Sequence, residues 1–215
     1  MSTITTTPTQ SSPPLASSGQ GTSGVAAPSF NWGPQDLYRM TVDKYERIGG
    51  MLDDDRVELI DGYLVKKMSK KPPHISAVEN VLHSLTPLLP TGFFCRKEDP
   101  VRIPEFDEPE PDVAILRGSR QDYSGRLPGP GDLAMVVEAS ETTLDRDQGP
   151  KHLAYAKAGI SVYWIVNLVD NQVEVYSNPG ADGYKSRQDF KPGQDVPVVI
   201  DGAEVGRIAV AAILP

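Results

Sequence analysis

Three nearly continuous apolar runs set the limits on what this chain can become: DVAIL (112–116), LAMVVEA (133–139) and VYWIV (162–166). Each is short and rich in Val, Ile and Leu, the pattern of central strands buried in a sheet. A sheet of such strands needs cover from other elements. Several segments are available for that cover. Val42, Tyr45 and Ile48 recur at helical spacing after Thr41, with Gly49 and Gly50 placed to end the helix. Residues 74–89 (HISAVENVLHSLTPLL) put Ile75, Val78, Leu82, Leu85 and Leu89 on one helical face, weakened near the end by Pro87. Pro150 suits the first turn of a helix running to about Lys157, with Gly159 as its stop.

Strand signals fill the remainder. VELI and YLVKKM flank Asp61-Gly62, a strong hairpin pair. FFCRK and PVRI read as a strand broken at Pro100, and VEVYS follows a VDNQ turn. YKSRQDF, VPVVI and RIAVAAIL read as further strands that extend or cover the sheet. A Gly/Pro-rich loop over 117–131 is long enough to be mobile or functional. The order predicts an α/β fold with a mixed central sheet flanked by helices and extra strands at the C-terminus.

Composition locates the domain. The first 35 residues contain no Asp, Glu, Lys or Arg and are dominated by Ser, Thr, Pro, Gly and Ala. Such a segment cannot bury enough apolar surface to offset its ordering entropy, so residues 1–30 are expected to be disordered. The reading divides the chain into a tail, 1–35, and one domain, 36–215. A signal-peptide pattern and a membrane-length apolar run are both missing. Cys95 is the single cysteine, which rules out an intramolecular disulfide and a cysteine-based zinc site. A cytoplasmic location is the simplest expectation. The formal net charge of −8 argues against broad nucleic-acid coating but leaves room for a nuclease, because a metal can neutralise an acidic site.

Two carboxylates stand out by their neighbours. Asp112 opens one apolar run and Glu138 closes another, where a carboxylate is costly unless paired, hydrogen-bonded or bound to metal. Each alone reads equally well as a solvated strand-end group. Together, on neighbouring strands, they suit Mg²⁺ or Mn²⁺, which prefer oxygen ligands. Lys151 follows on a helix with Tyr155 one turn later on the same face. A lysine there could position a water and stabilise charge on a phosphate, although an ordinary solvated lysine has the same pattern. Lys157 would lie about 240° around the helix from Lys151 and cannot share its site.

Lys66, Lys67, Lys70 and Lys71 form a basic cluster that fits either DNA-backbone contact or a plain exposed loop. The acidic run EFDEPEPD (105–112) could likewise ligate metal, but most of its charges read as solvated loop. His83 reads as a boundary residue, and His152 points away from Lys151. No histidine zinc spacing is present.

The strings VELIDGYLVKKMS, the later His74, EPDVAIL, LAMVVEAS and DRDQGPKHLAYAKAGISVYWIVN resemble, in this order, the Uma-two (Uma2, DUF820) family of restriction-endonuclease-like proteins in the PD-(D/E)XK superfamily. The resemblance covers roughly residues 40–180. It implies a restriction-endonuclease-like core with a metal-dependent phosphodiesterase centre. Pro111-Asp112 matches the first half of the superfamily motif and Glu138 the acidic residue of the second. Ser140 stands where the superfamily lysine would be, and Lys151 matches the position to which that lysine has moved in this family. The resemblance also gives Glu58 as a further ligand and places a histidine at His74, where it could meet a water, a phosphate or a carboxylate.

The expected function is Mg²⁺- or Mn²⁺-dependent hydrolysis of DNA. Asp112 and Glu138 would hold metal with help from Glu58, and Lys151 would orient water assisted by His74. Tyr155 and Lys66, Lys67, Lys70 and Lys71 would bind substrate. A homodimer is the simplest arrangement for cutting both strands. The rivals are a non-catalytic binding module of nuclease fold and a hydrolase of RNA or another phosphodiester.

Overall fold

The parallel pairing of two buried strands organises the molecule, because parallel neighbours cannot be joined by a tight turn and need a crossover. The strands are β5 (Leu133–Ser140) and β6 (Val162–Asn167), paired with Glu138 opposite Ile165. The crossover is helical: α3 (Leu144–Arg146), a π turn (Asp147–Lys151) and α4 (His152–Lys157). The structure, a computed structural model, describes residues 33–52 and 56–215. The tail expected to be disordered, residues 1–30, lies outside the described residues. The chain divides into two units, 1–36 and 37–215, and the second contains every strand and α-helix of the described residues.

The main sheet has six strands in the order β3 (Phe93–Lys97), β4 (Val113–Arg117), β5, β6, β7 (Gln172–Gly180) and β8 (Gly183–Phe190). All neighbouring pairs except β5–β6 are antiparallel. Pleat alternation splits each apolar run between two cores. Val113, Ile115, Met135, Val137, Trp164 and Val166 face one side, under helix α2 (Pro72–Leu85). The same core contains Val196, Val198 and Ile208 from the separate hairpin β9 (Asp195–Ile200) and β10 (Ala203–Ala209), and Ile213 from α5 (Val210–Ile213). Ala114, Leu116, Val136, Tyr163 and Ile165 face the other side with Tyr155 of the crossover. The fold is thus the expected mixed α/β sheet flanked by helices, with extra strands near the C-terminus.

A second hairpin lies apart from the main sheet: β1 (Val57–Ile60) and β2 (Tyr63–Lys66). Asp61 and Gly62 both have positive φ, 49° and 80°, as a two-residue I′ turn requires. Helix α1 (Val42–Leu52) precedes it.

Several boundaries differ from the sequence reading. Helix α1 continues through Gly49 and Gly50 instead of ending there. The buried face of α2 is Ala77, Val78, Val81 and Leu85, while Ile75 is exposed. PVRI contributes an isolated bridge at Ile103 and no strand. The crossover turns helical before Pro150, which the wider π turn accommodates. RIAVAAIL is part strand and part α5, tied to α2 by the Asn80 amide donating to the carbonyls of Ile213 and Leu214, each at 3.3 Å. The 117–131 loop holds two 3-10 turns, is pinned by the Tyr123 hydroxyl donating to the Arg117 carbonyl at 2.6 Å, and does not line the cleft beside Asp112 and Glu138. Among the described residues, no helix is long and apolar enough to cross a membrane.

Candidate functional site

Strand register brings the first carboxylates together. Lys97 pairs with Val113 and Val113 with Val137. The next positions, Glu98, Asp112 and Glu138, therefore lie side by side across β3, β4 and β5. The Asp112 carboxylate accepts the Ala139 N–H at 2.7 Å, and the Asp112 N–H points to Glu138 Oε2 at 3.4 Å.

The crossover supplies the cation. Lys151 Nζ lies 3.0 Å from Glu138 Oε1 and 3.0 Å from Glu58 Oε2, with Asp147 Oδ1 at 4.0 Å. Lys151, Glu58, Glu138 and Asp147 are all buried. Burial opposes the Lys151 charge, but Glu138 and Glu58 outweigh it and hold the ammonium protonated. Burial pushes the Glu138 carboxyl up, opposed by Lys151. The Tyr155 hydroxyl also donates to Glu138 Oε1, at 2.8 Å. Ser140 donates with Thr143 to Asp147 Oδ2, at 2.7 and 2.6 Å. That contact fixes the π turn, which delivers Lys151 to Glu138.

His74, at the start of α2, bridges the two layers. Its Nδ1 lies 2.9 Å from the Ala139 carbonyl, so Nδ1 carries the proton and donates. Its Nε2 is buried and pairs with Asp112 Oδ1 at 3.3 Å. Hydrogen bonding to Asp112 raises the His74 pKa.

These residues surround a cleft of about 180 Å³. Asp112, Glu138, Lys151, Glu58 and His74 come together there, as expected from the sequence. Two expected roles need correction. Tyr155 is fully buried and cannot touch a substrate; it braces Glu138 from the core. Glu58 lines the cleft with its oxygens facing Lys151, Arg146 at 3.4 Å and the Glu110 N–H at 3.2 Å. Lys66 does not line the cleft; its carbonyl accepts from Arg146 at 3.1 Å. Lys67, Lys70 and Lys71 do line it, each paired with a carboxylate: Glu110, Glu98 and Glu141. Lys157 and His83 are exposed, and His152 packs against Tyr176 and Tyr184.

Sequence reasoning missed Glu98, Arg146 and Asp147. Asp147 carried a usable signal, one helical turn before Lys151. Glu98 carried none without the register. The acidic run is less solvated than expected, since Glu108 is buried and Asp107 accepts the Asp61 N–H at 2.6 Å.

The cleft lining carries seven carboxylates against five Lys or Arg side chains, a formal −2 with His74 neutral. One divalent cation would balance that charge. His74, Glu98 and Asp112 can bring one ligand atom each within 4.8 Å of the others, so the donor set fits such an ion.

Comparison with known proteins gives a family and a shared fold. The Uma2 family model, described as "Putative restriction endonuclease", matches residues 42–210. A crystal structure from Anabaena variabilis ATCC 29413, described as a "putative nuclease belonging to DUF820", shares the fold. It is 16% identical, with a TM-score of 0.62, covering 81% of this chain and 97% of that one. None of the curated proteins compared is significantly similar to the chain.

Proposed function

The chain belongs to the Uma2 family, and on that premise we propose that it is a divalent-metal-dependent endonuclease hydrolysing phosphodiester bonds of DNA. The observation that carries the reading is the acidic cleft itself. Its carboxylates exceed its cations by two, so a phosphodiester would be repelled from Asp112 and Glu138 without an added cation. A divalent ion there would supply positive charge to a phosphate as it is attacked.

The protein's own residues have distinct tasks in this reading. Asp112 would hold the ion, with Glu138 beside it in the cleft. Lys151, held protonated between Glu58 and Glu138, orients the attacking water and offsets charge growing on the phosphate. Tyr155 and Glu58 keep that ammonium in place, while His74 fixes Asp112. Lys67, Lys70 and Lys71 can reach the DNA backbone by exchanging carboxylate partners for phosphates.

Nicking of supercoiled plasmid with Mg²⁺ or Mn²⁺ tests this, with Asp112→Ala and Glu138→Ala alongside. Wild type should nick and both variants should lose at least a hundredfold. Equal inactivity on all DNA forms, or equal activity in all three proteins, removes the assignment.

One observation favours a second reading, a nuclease-fold binding module without turnover. The Lys151 ammonium is engaged by two buried carboxylates and serves the fold whether or not chemistry occurs. Calorimetric metal binding dependent on Asp112, together with DNA binding but no cleavage, would select it. An RNA panel separates a ribonuclease from both.

A further inference from the structure

We propose that Glu98, with His74 and Asp112, forms the cation site of the cleft, and that its imidazole makes the site selective for a first-row transition ion over Mg²⁺. This rests on the metal-dependent reading of the cleft but adds a ligand and a selectivity to it.

Three independent features converge. Register puts Glu98 beside Asp112 at the ends of adjacent strands. The Glu98 backbone is fixed there, with positive φ (55°) and its N–H directed at the Pro111 and Asp112 carbonyls at 3.2 and 3.3 Å. The ligand atoms of His74, Glu98 and Asp112 lie within 4.8 Å of one another. His74 is the decisive member. Its Nδ1 is committed to the Ala139 carbonyl, so Nε2 is the nitrogen left to coordinate, and it stands beside Asp112 Oδ1 at 3.3 Å. A histidine whose other nitrogen donates to a backbone carbonyl is also the usual arrangement of a metal-bound imidazole.

Glu138 is less suited to direct coordination, because Oε1 already accepts from Lys151 and Tyr155. Glu98 is held by Lys70, on an exposed segment, with Lys97 4.0 Å away. Lys70 can swing out when an ion arrives. One nitrogen and two carboxylates suit Mn²⁺ and later first-row ions better than Mg²⁺, which favours all-oxygen shells.

The test is Mn²⁺ binding by the full-length protein, read by electron paramagnetic resonance and calorimetry, with Mg²⁺ as competitor. Wild type should bind Mn²⁺ at least tenfold more tightly than Mg²⁺. Glu98→Gln should weaken Mn²⁺ binding tenfold or more. His74→Gln should erase the preference for Mn²⁺, and Glu204→Gln, on β10 and paired with Arg207 outside the cleft, should change neither. Circular dichroism establishes that each variant is folded. Unchanged Mn²⁺ affinity in folded Glu98→Gln overturns the proposal, as does equal wild-type affinity for the two ions. Tight, Glu98-dependent Mn²⁺ binding by a protein that never cuts DNA leaves this site standing and removes the endonuclease reading instead.

Discussion

Replacing Lys151 with methionine keeps the length of the side chain and removes its charge. The ammonium is 3.0 Å from both Glu58 and Glu138. At an effective dielectric near 20, each contact is worth roughly 5 kcal/mol before desolvation is counted. The loss cannot reach that sum, because the stranded carboxyls can take up protons. Protonating an ordinary glutamate at pH 7.5 costs about 4 kcal/mol, at 1.36 kcal/mol for each of about three pH units. Arg146 still faces Glu58 at 3.4 Å, so Glu138 is the group left without a cation.

Lys151→Met should therefore lose about 3–5 kcal/mol at pH 7.5, a fall in Tm of roughly 10 °C for a chain of this size. With Lys151 gone, the Glu138 pKa is raised further by burial. A raised folded-state pKa gives stability at low pH that is lost as pH rises. At pH 5 the same protonation costs under about 1 kcal/mol, so most of the deficit should vanish. Urea melts followed by circular dichroism at the two pH values measure this. A variant as stable as wild type at pH 7.5, or a deficit indifferent to pH, would refute the reasoning.

Other perturbations probe the frame around the cleft. Burial pushes Glu108 up to about 7, so wild-type stability should fall as pH rises from about 4.5 to about 7. Glu108→Gln should escape that fall and gain about 1–2 kcal/mol over wild type at pH 8, after solvent screening is allowed for; urea melts at pH 4 and pH 8 compare them. Gly62→Ala should cost roughly 2 kcal/mol, because φ is positive and the new Cβ would meet the Arg39 Cβ at 2.8 Å; a Tm at or above wild type contradicts this. Glu174 is fully buried and accepts from Gln148, Asn167, Gln172 and Tyr176, with Arg187 at 3.1 Å. Glu174→Ala should cost about 3 kcal/mol or more by stranding these donors, seen as a lower urea midpoint at unchanged slope.

The main strands were legible because burial on both faces leaves an unbroken apolar run, as in LAMVVEAS. Asp112 and Glu138 were legible for the same reason, as charges at the edges of such runs. Features that depend on phase or register were not. Ile75 fits an apolar stripe by spacing, yet the buried face of α2 is turned toward Ala77 and Val81, a choice made by the sheet beneath it. Glu98 follows Lys97 in an ordinary FFCRKED segment, and only pairing to β4 sets it beside Asp112. RIAVAAIL divides between strand and helix, and its run of small apolar residues suits either.

The π turn at Asp147–Lys151 has a consequence for how this centre can change over evolution. A lysine at position 140 would be aimed by the pleat of β5 alone, whatever the length of the segments around it. A lysine on the crossover is aimed by helical phase, where one inserted or deleted residue rotates everything downstream by about 100°. The π turn acts as a single-residue phase corrector: at its first residue Asp147 meets Ser140, and at its last Lys151, with Tyr155 one turn on, meets Glu138. Segment length between Ser140 and Lys151 should therefore matter as much as the residues that fix the turn, with insertions or deletions tolerated only when they come with a compensating change in helix type.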